Sequence, residues 1–286
     1  MVDGLDFLLA PMQYPFMVRG LLAALLVGLV CGMVGCFVVL RGMAFFGDAM
    51  SHSILPGIAV GYLVGGGARG PVFWWAMGTA IAVSLSIGAV TKSARLKEDT
   101  AIGIIFAGMF ALGVALISMG RSYSLDLVHF LFGDVLGVSW GDLGLTAFFG
   151  ILVVAILLLF YKEFLVVSFD DTLARTLRLP STALYYTLLI LIAVTIVASI
   201  QTVGVALMLA MLVTPPATAY LLTSRLPAMM ALSALIGALA GVLGLYLSYY
   251  VGMASGAAIV LVCTGFFLLA LLFAPRHKSP RQGAAG

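Results

Sequence analysis

Charge is scarce in this chain. Only 9% of its 286 residues are Asp, Glu, Lys or Arg, against ~25% in a soluble domain. With 63% hydrophobic residues, such a surface does not dissolve in water, and the bilayer must be the solvent for most of it. The net charge of +3 comes without a basic stretch long enough to neutralise a phosphate backbone, so nucleic acid is excluded as a partner. Cysteine is sparse too. Cys31, Cys36 and Cys263 have neither CxxC spacing nor a secreted disulfide pattern and read as small apolar packing residues. A Walker A sequence is missing. "GGGARGP" is rich in glycine but lacks the Lys-Ser/Thr ending that holds phosphates. If ATP drives this protein, another chain must bind it. There is no HExxH, and Asp3 and Asp6 stand where a cleaved signal would carry basic residues, so no such leader is expected.

Long apolar runs are what the chain has in abundance. Runs of ~20 residues, each long enough to cross the hydrocarbon as a helix, fall at 17–40, 52–67, 72–92, 100–119, 142–161, 182–200, 202–223, 228–250 and 255–274. The expected fold is all-α and polytopic, with about nine transmembrane helices. Eight result if the short second run does not cross, or if the nearly continuous sixth and seventh are one. Residues 1–275 form a single transmembrane domain, and 276–286 a disordered basic tail. Lys and Arg collect in cytoplasmic loops. Arg41, then Lys92, Arg95 and Lys97, then Lys162, Arg175 and Arg178, then Arg225, then Arg276, Lys278 and Arg281 lie in alternate connections. Nine spans satisfy this alternation, with the N-terminus outside and the C-terminus in the cytoplasm.

Two connections exceed a turn. The outer one, 120–141, holds Asp126, His129 and Asp134, which are either contacts for an external docking protein or solvated loop residues. The inner one, 162–181, contains a short amphipathic helix at about 169–179. Asp170 or Asp171 can cap it, and Pro180 follows its end. Leu173, Ala174, Leu177 and Leu179 give it an apolar face opposed by Arg175 and Arg178. Such a helix lies on the membrane surface or docks in a groove of a soluble partner. In "VTPPATA", Pro215 and Pro216 break or kink the seventh run near its inner end, as a hinge or as a packing site. Met208 and Met211 read as packing residues.

The chemistry concentrates in "FFGDAMSHSILPG". Asp48 and His52 have i, i+4 spacing and share a helix face. An ionisable residue at membrane depth costs about 2.5–3.5 kcal/mol on insertion scales, so something must offset it. Imidazole suits zinc, iron and their neighbours, while carboxylate suits harder ions such as Mn²⁺. The other reading is an internal ion pair that fixes helix packing. Gly42, Gly47, Gly57, Gly61 and Pro56 surround the pair, and irregular backbone at this depth is tolerated mainly where it faces protein or a water-filled cavity. Two ligands do not complete a shell. A histidine ligand must be neutral, so uptake through this site is expected to fall as protons compete with the metal.

Taken in order, "RGMAFFGDAMSHSILPG", "KEDTAIGIIF", "HFLFGD", "FDDTLARTLRLP", "TVGVALMLAMLVTPPATAYLL" and "SGAAIVLV" resemble the permease subunits of ATP-binding-cassette importers for manganese, zinc and iron, nearly end to end. The resemblance implies a type II-like permease dimer with no ATPase site of its own. Two ATPase subunits would hold ATP inside, and an extracytoplasmic metal-binding protein would dock outside. It places Asp48 and His52 on the metal path. It makes 169–179 the coupling helix, with Phe169, Asp170, Ala174, Leu177 and Leu179 facing the ATPase. The wording is closest to manganese-type members. Zinc-type members often carry a further histidine in the segment matching 103–113, and this chain has none there. The expected cargo is therefore Mn²⁺, then Zn²⁺, then Fe²⁺. Three rivals stand: an ion-driven secondary carrier, an intramembrane metalloenzyme using Asp48 and His52, and a purely structural subunit.

Overall fold

Small residues recur every fourth position at Ala24, Gly28 and Gly32, and again at Ser233, Gly237 and Gly241. Inside a membrane no hydrophobic force draws helices together, and close packing must do so instead. In the computed structural model, which describes residues 10–66, 69–94, 96–119, 135–169 and 171–273, these two stripes form the central crossing. Helix α1 (Pro15–Leu40) meets the antiparallel α11 (Leu226–Val251). A Cβ on Gly28 would lie 2.7 Å from the Gly237 backbone, and Gly241 faces Ala24. Ser233 Oγ donates to the Gly32 carbonyl at 2.7 Å.

The other elements are α2 (Ala44–Ser53), α3 (Leu55–Gly65), α4 (Arg69–Ser93), α5 (Glu98–Ser118), α6 (Trp140–Leu159), α7 (Tyr161–Phe169), α8 (Asp171–Thr176), α9 (Ser181–Val203), α10 (Val205–Leu222) and α12 (Ser255–Phe273). Among the described residues there is no strand, and 8 helices are long and apolar enough to cross a membrane. The expected second span, 52–67, is corrected. Its element starts earlier, at Ala44, and breaks at Ile54 into α2 and α3. At 1.5 Å per residue, neither piece of 10 or 11 residues covers a ~30 Å core alone. The break has a local cause: Pro56 lacks the N–H that would close on the His52 carbonyl.

The sixth and seventh spans are separate. Gly204 turns the chain between α9 and α10 with φ 77° and ψ 173°, a conformation essentially restricted to glycine. At Pro215 and Pro216 the chain does not break: helix α10 runs on through both, and both are buried. Helix α6 begins with a capping box, in which Ser139 accepts from the Asp142 N–H and Asp142 returns the bond. Asp142 also accepts from Gln201 Nε2 at 2.7 Å, joining α6 to α9. All three cysteines are free and buried, as packing residues should be.

Contacts between helix ends put the basic connections together. Arg41 pairs with Glu98. Lys92 lies over the ring of Tyr185 at 5.1 Å. Phe164 of α7 packs on Phe37 near the end of α1, and the antiparallel α11 starts beside the same end. The described basic connections therefore share one end of the bundle. Helices α7 and α8 lie at this basic end. Residues 276–286 of the expected tail lie outside the described residues.

Candidate metal path

Asp48 and His52 project from the same face of α2. His52 Nε2 stands 3.7 Å from Asp48 Oδ1, and the side chains are 33% and 43% exposed within this one chain. That separation is too long for a hydrogen bond. One cation can bridge the two atoms with metal–ligand bonds of about 2.0–2.2 Å. Because the two groups do not hydrogen-bond each other, the pair does not by itself offset the insertion cost of about 2.5–3.5 kcal/mol for a charge at depth.

The depth follows from α5, which runs parallel to α2 and α3. Glu98 begins α5 beside Arg41, and Gly113 reaches Leu55 and Pro56. Between these points Phe106 and Phe110 flank His52, with ring centroids 6.3 and 5.9 Å away. Phe45 packs edge-on against Phe106 at 6.0 Å. His52 is thus level with the middle of a spanning helix. Its Nδ1 is buried without a hydrogen-bond partner. Among the described residues, no third His, Cys, Asp or Glu joins the pair. The aromatic wall escaped the sequence reading, although Phe106 and Phe110 carry the i, i+4 spacing that could have signalled it.

The residues expected on the coupling helix divide. Ala174 is fully buried, whereas Phe169, Leu173 and Leu177 are 65%, 46% and 55% exposed. Leu179 packs on the core. The single apolar face expected from sequence is therefore two faces, one inward and one outward. The helical reach is also shorter, because α8 ends at Thr176. Arg178 takes a left-handed φ of 56°, and the Leu179 N–H closes on the Ala174 carbonyl at 3.0 Å, which caps the helix and turns Leu179 inward. Asp170, Asp126, His129 and Asp134 lie outside the described residues.

A family model for the ABC 3 transport family matches residues 13–274. The chain belongs to this family. Within it, the manganese transport system membrane protein MntC of Listeria monocytogenes is 47% identical over 95% of this chain and 95% of its own length. A probable iron transport system membrane protein of Haemophilus influenzae is 39% identical over 94% of this chain and 97% of its own. Among solved structures, PsaBC from Streptococcus pneumoniae in complex with Fab superposes with a TM-score of 0.81. That chain is 38% identical, with 95% of this chain and 96% of the other covered. The family matches the expected all-α permease fold, and the coverage reaches both ends of the described helices.

Proposed function

We propose that this chain is the membrane permease of an ATP-driven importer of divalent transition-metal ions, with Mn²⁺ as the preferred cargo. The observation that carries the reading is the Asp48–His52 pair, open on one side and level with the middle of α5. A carboxylate and an imidazole that are not bonded to each other offer a passing dication two ligands, and the rest must come from elsewhere. The manganese relative supports Mn²⁺, and the iron relative keeps Fe²⁺, with Zn²⁺, as the second reading. An ion-driven carrier fits the same site but leaves the exposed apolar residues of α7 and α8 without a use.

A second copy of the chain would complete the site. Helices α5 and α12 are the least covered of the long helices, and Gly103, Ala107, Ala111 and Ala115 recur at every fourth position of α5. Small residues of this kind let another helix approach closely. The basic end faces the cytoplasm by the positive-inside rule, which puts the N-terminus outside and the C-terminus inside. An extracytoplasmic metal-binding protein delivers the ion to the far end. A separate ATPase subunit seats on α7 and α8, and its cycle switches the bundle between outward and inward access.

Two measurements test this reading. Cells lacking the gene, compared for manganese, zinc and iron content, should be depleted mainly in manganese. A deficit confined to zinc or iron would move the cargo, and no deficit in any of the three would end the proposal. For coupling, Phe169 and Leu177 are cleaner probes than Ala174, whose replacement also disturbs the core. Phe169→Ser with Leu177→Ser should cut the ATPase rate of the assembled complex about tenfold, the scale set by losing two apolar anchors. An unchanged rate would show that the ATPase docks elsewhere.

A further inference from the structure

One cluster of charged and aromatic groups stands apart from the metal path and joins four helices at the basic end. Arg41 ends α1, immediately before Gly42 turns the chain into α2 with φ 69°. Its Nη2 donates to Glu98 Oε1 in the first turn of α5. The guanidinium lies 4.8 Å from the ring centroid of Tyr185 on α9, and Lys92 of α4 reaches the same ring at 5.1 Å. The Arg41 and Glu98 side chains are only 11% and 23% exposed. Arg41 Nε and Nη1 are buried without hydrogen-bond partners, so the tie from Arg41 to α5 is the single bond to Glu98.

The position of this tie gives it a consequence. Helix α5 is the least covered long helix of the bundle, and within the chain it packs on α2, α3 and α4. The same helix carries Phe106 and Phe110, the rings that cover His52. Arg41 leads directly into α2, which carries His52 itself. The Arg41–Glu98 bond thus joins the end of α1, just before the turn into the helix that presents the imidazole, to the helix that packs against the imidazole.

We propose that Arg41 and Glu98, braced by Tyr185, form a latch at the basic end that keeps the aromatic wall of α5 closed over His52 and opens to release the ion. Closed, it holds α5 against α2. Broken, it lets the first turns of α5 swing away and uncovers the ring. Arg41 and Glu98 are positioning residues in this scheme, since neither touches the ion. The latch concerns access to His52, and its role in ion release rests on the proposed metal path.

The test is the reactivity of His52 toward diethylpyrocarbonate, followed by mass spectrometry in the assembled transporter in nanodiscs without nucleotide. The reactivity of free N-acetylhistidine added to the same sample is the internal reference. Glu98→Gln, which keeps an acceptor oxygen but removes the charge, should raise the His52 rate about tenfold, the scale of losing the charge from a charge-assisted hydrogen bond. Glu98→Asp, which keeps the charge, should stay near the wild-type rate. A wild-type rate in Glu98→Gln, or equal rates in the two variants, would overturn the latch. A parallel measurement follows Mn²⁺ loss from loaded proteoliposomes without ATP, and a faster loss in Glu98→Gln is expected. If His52 is uncovered but no ion leaks, the latch stands and the metal path through His52 falls.

Discussion

Asp48→Ala is expected to lower metal uptake by at least ~100-fold while the chain still inserts and assembles. Removing even an outer-shell partner of a metal ligand costs about 10–100-fold, and Asp48 is placed to bind directly. The carboxylate has a second function that alanine cannot replace. A dication leaving water loses hydration worth tens of kcal/mol in an idealised low-dielectric medium, and a fixed negative charge offsets part of that loss. Asp48→Asn keeps an oxygen ligand and removes the charge, so it should fall between alanine and wild type. Assembly should survive because His52, at 3.7 Å and half-open, is the one ion-pair partner of Asp48 among the described residues. Uptake of radioactive Mn²⁺ into proteoliposomes containing the complete transporter, normalised to assembled protein, makes the measurement. Normal uptake in Asp48→Ala would favour the purely structural reading of the pair.

The parts of this fold that were legible in the sequence are those governed by long averages. The 8 long apolar helices of the described residues follow from apolar runs, and the grouping of basic connections follows from where Lys and Arg fall. The second span was misplaced because its first half, Ala44–Ser53, is the most polar helix that enters the bundle. A hydropathy reading starts the span only after His52. The site was legible for the same reason, since Asp48 and His52 stand out against an apolar background. What surrounds them was not. Phe106 and Phe110 look like any apolar residues of a spanning helix, and only the parallel register of α5 beside α2 brings them onto His52. The division of the α8 face was hidden as well. It depends on the left-handed turn at Arg178, at a residue type that gives no sign of adopting it.

The second large effect is expected at Gly35, which the sequence shows as one glycine among 33. Pro216 has no N–H, so the Leu212 carbonyl one turn earlier loses its helical partner and is pushed outward by the proline ring. Gly35 of α1 sits against this opening. A Cβ added there would lie 2.0 Å from Leu212 O and 2.6 Å from Pro216 Cγ. Overpacking against movable side chains costs about 1–3 kcal/mol. Here the obstacle is backbone and a rigid ring, so the cost should exceed ~3 kcal/mol, which is above a hundredfold in the folded ratio. Gly35→Ala is therefore expected to remove most of the assembled protein, read as the yield of monodisperse material in mild detergent and its thermal midpoint. Gly78→Ala is the control, because a Cβ there meets nothing within 4 Å, and it should leave both unchanged. Equal yields for the two variants would mean that α1 and α10 are farther apart than this packing requires. The same crossing supports the metal path. Gly47 of α2, next to Asp48, is in contact range of Leu209 and Leu212 of α10. Any Gly35→Ala protein that does assemble should therefore carry a displaced Asp48 and take up less Mn²⁺ per molecule than wild type.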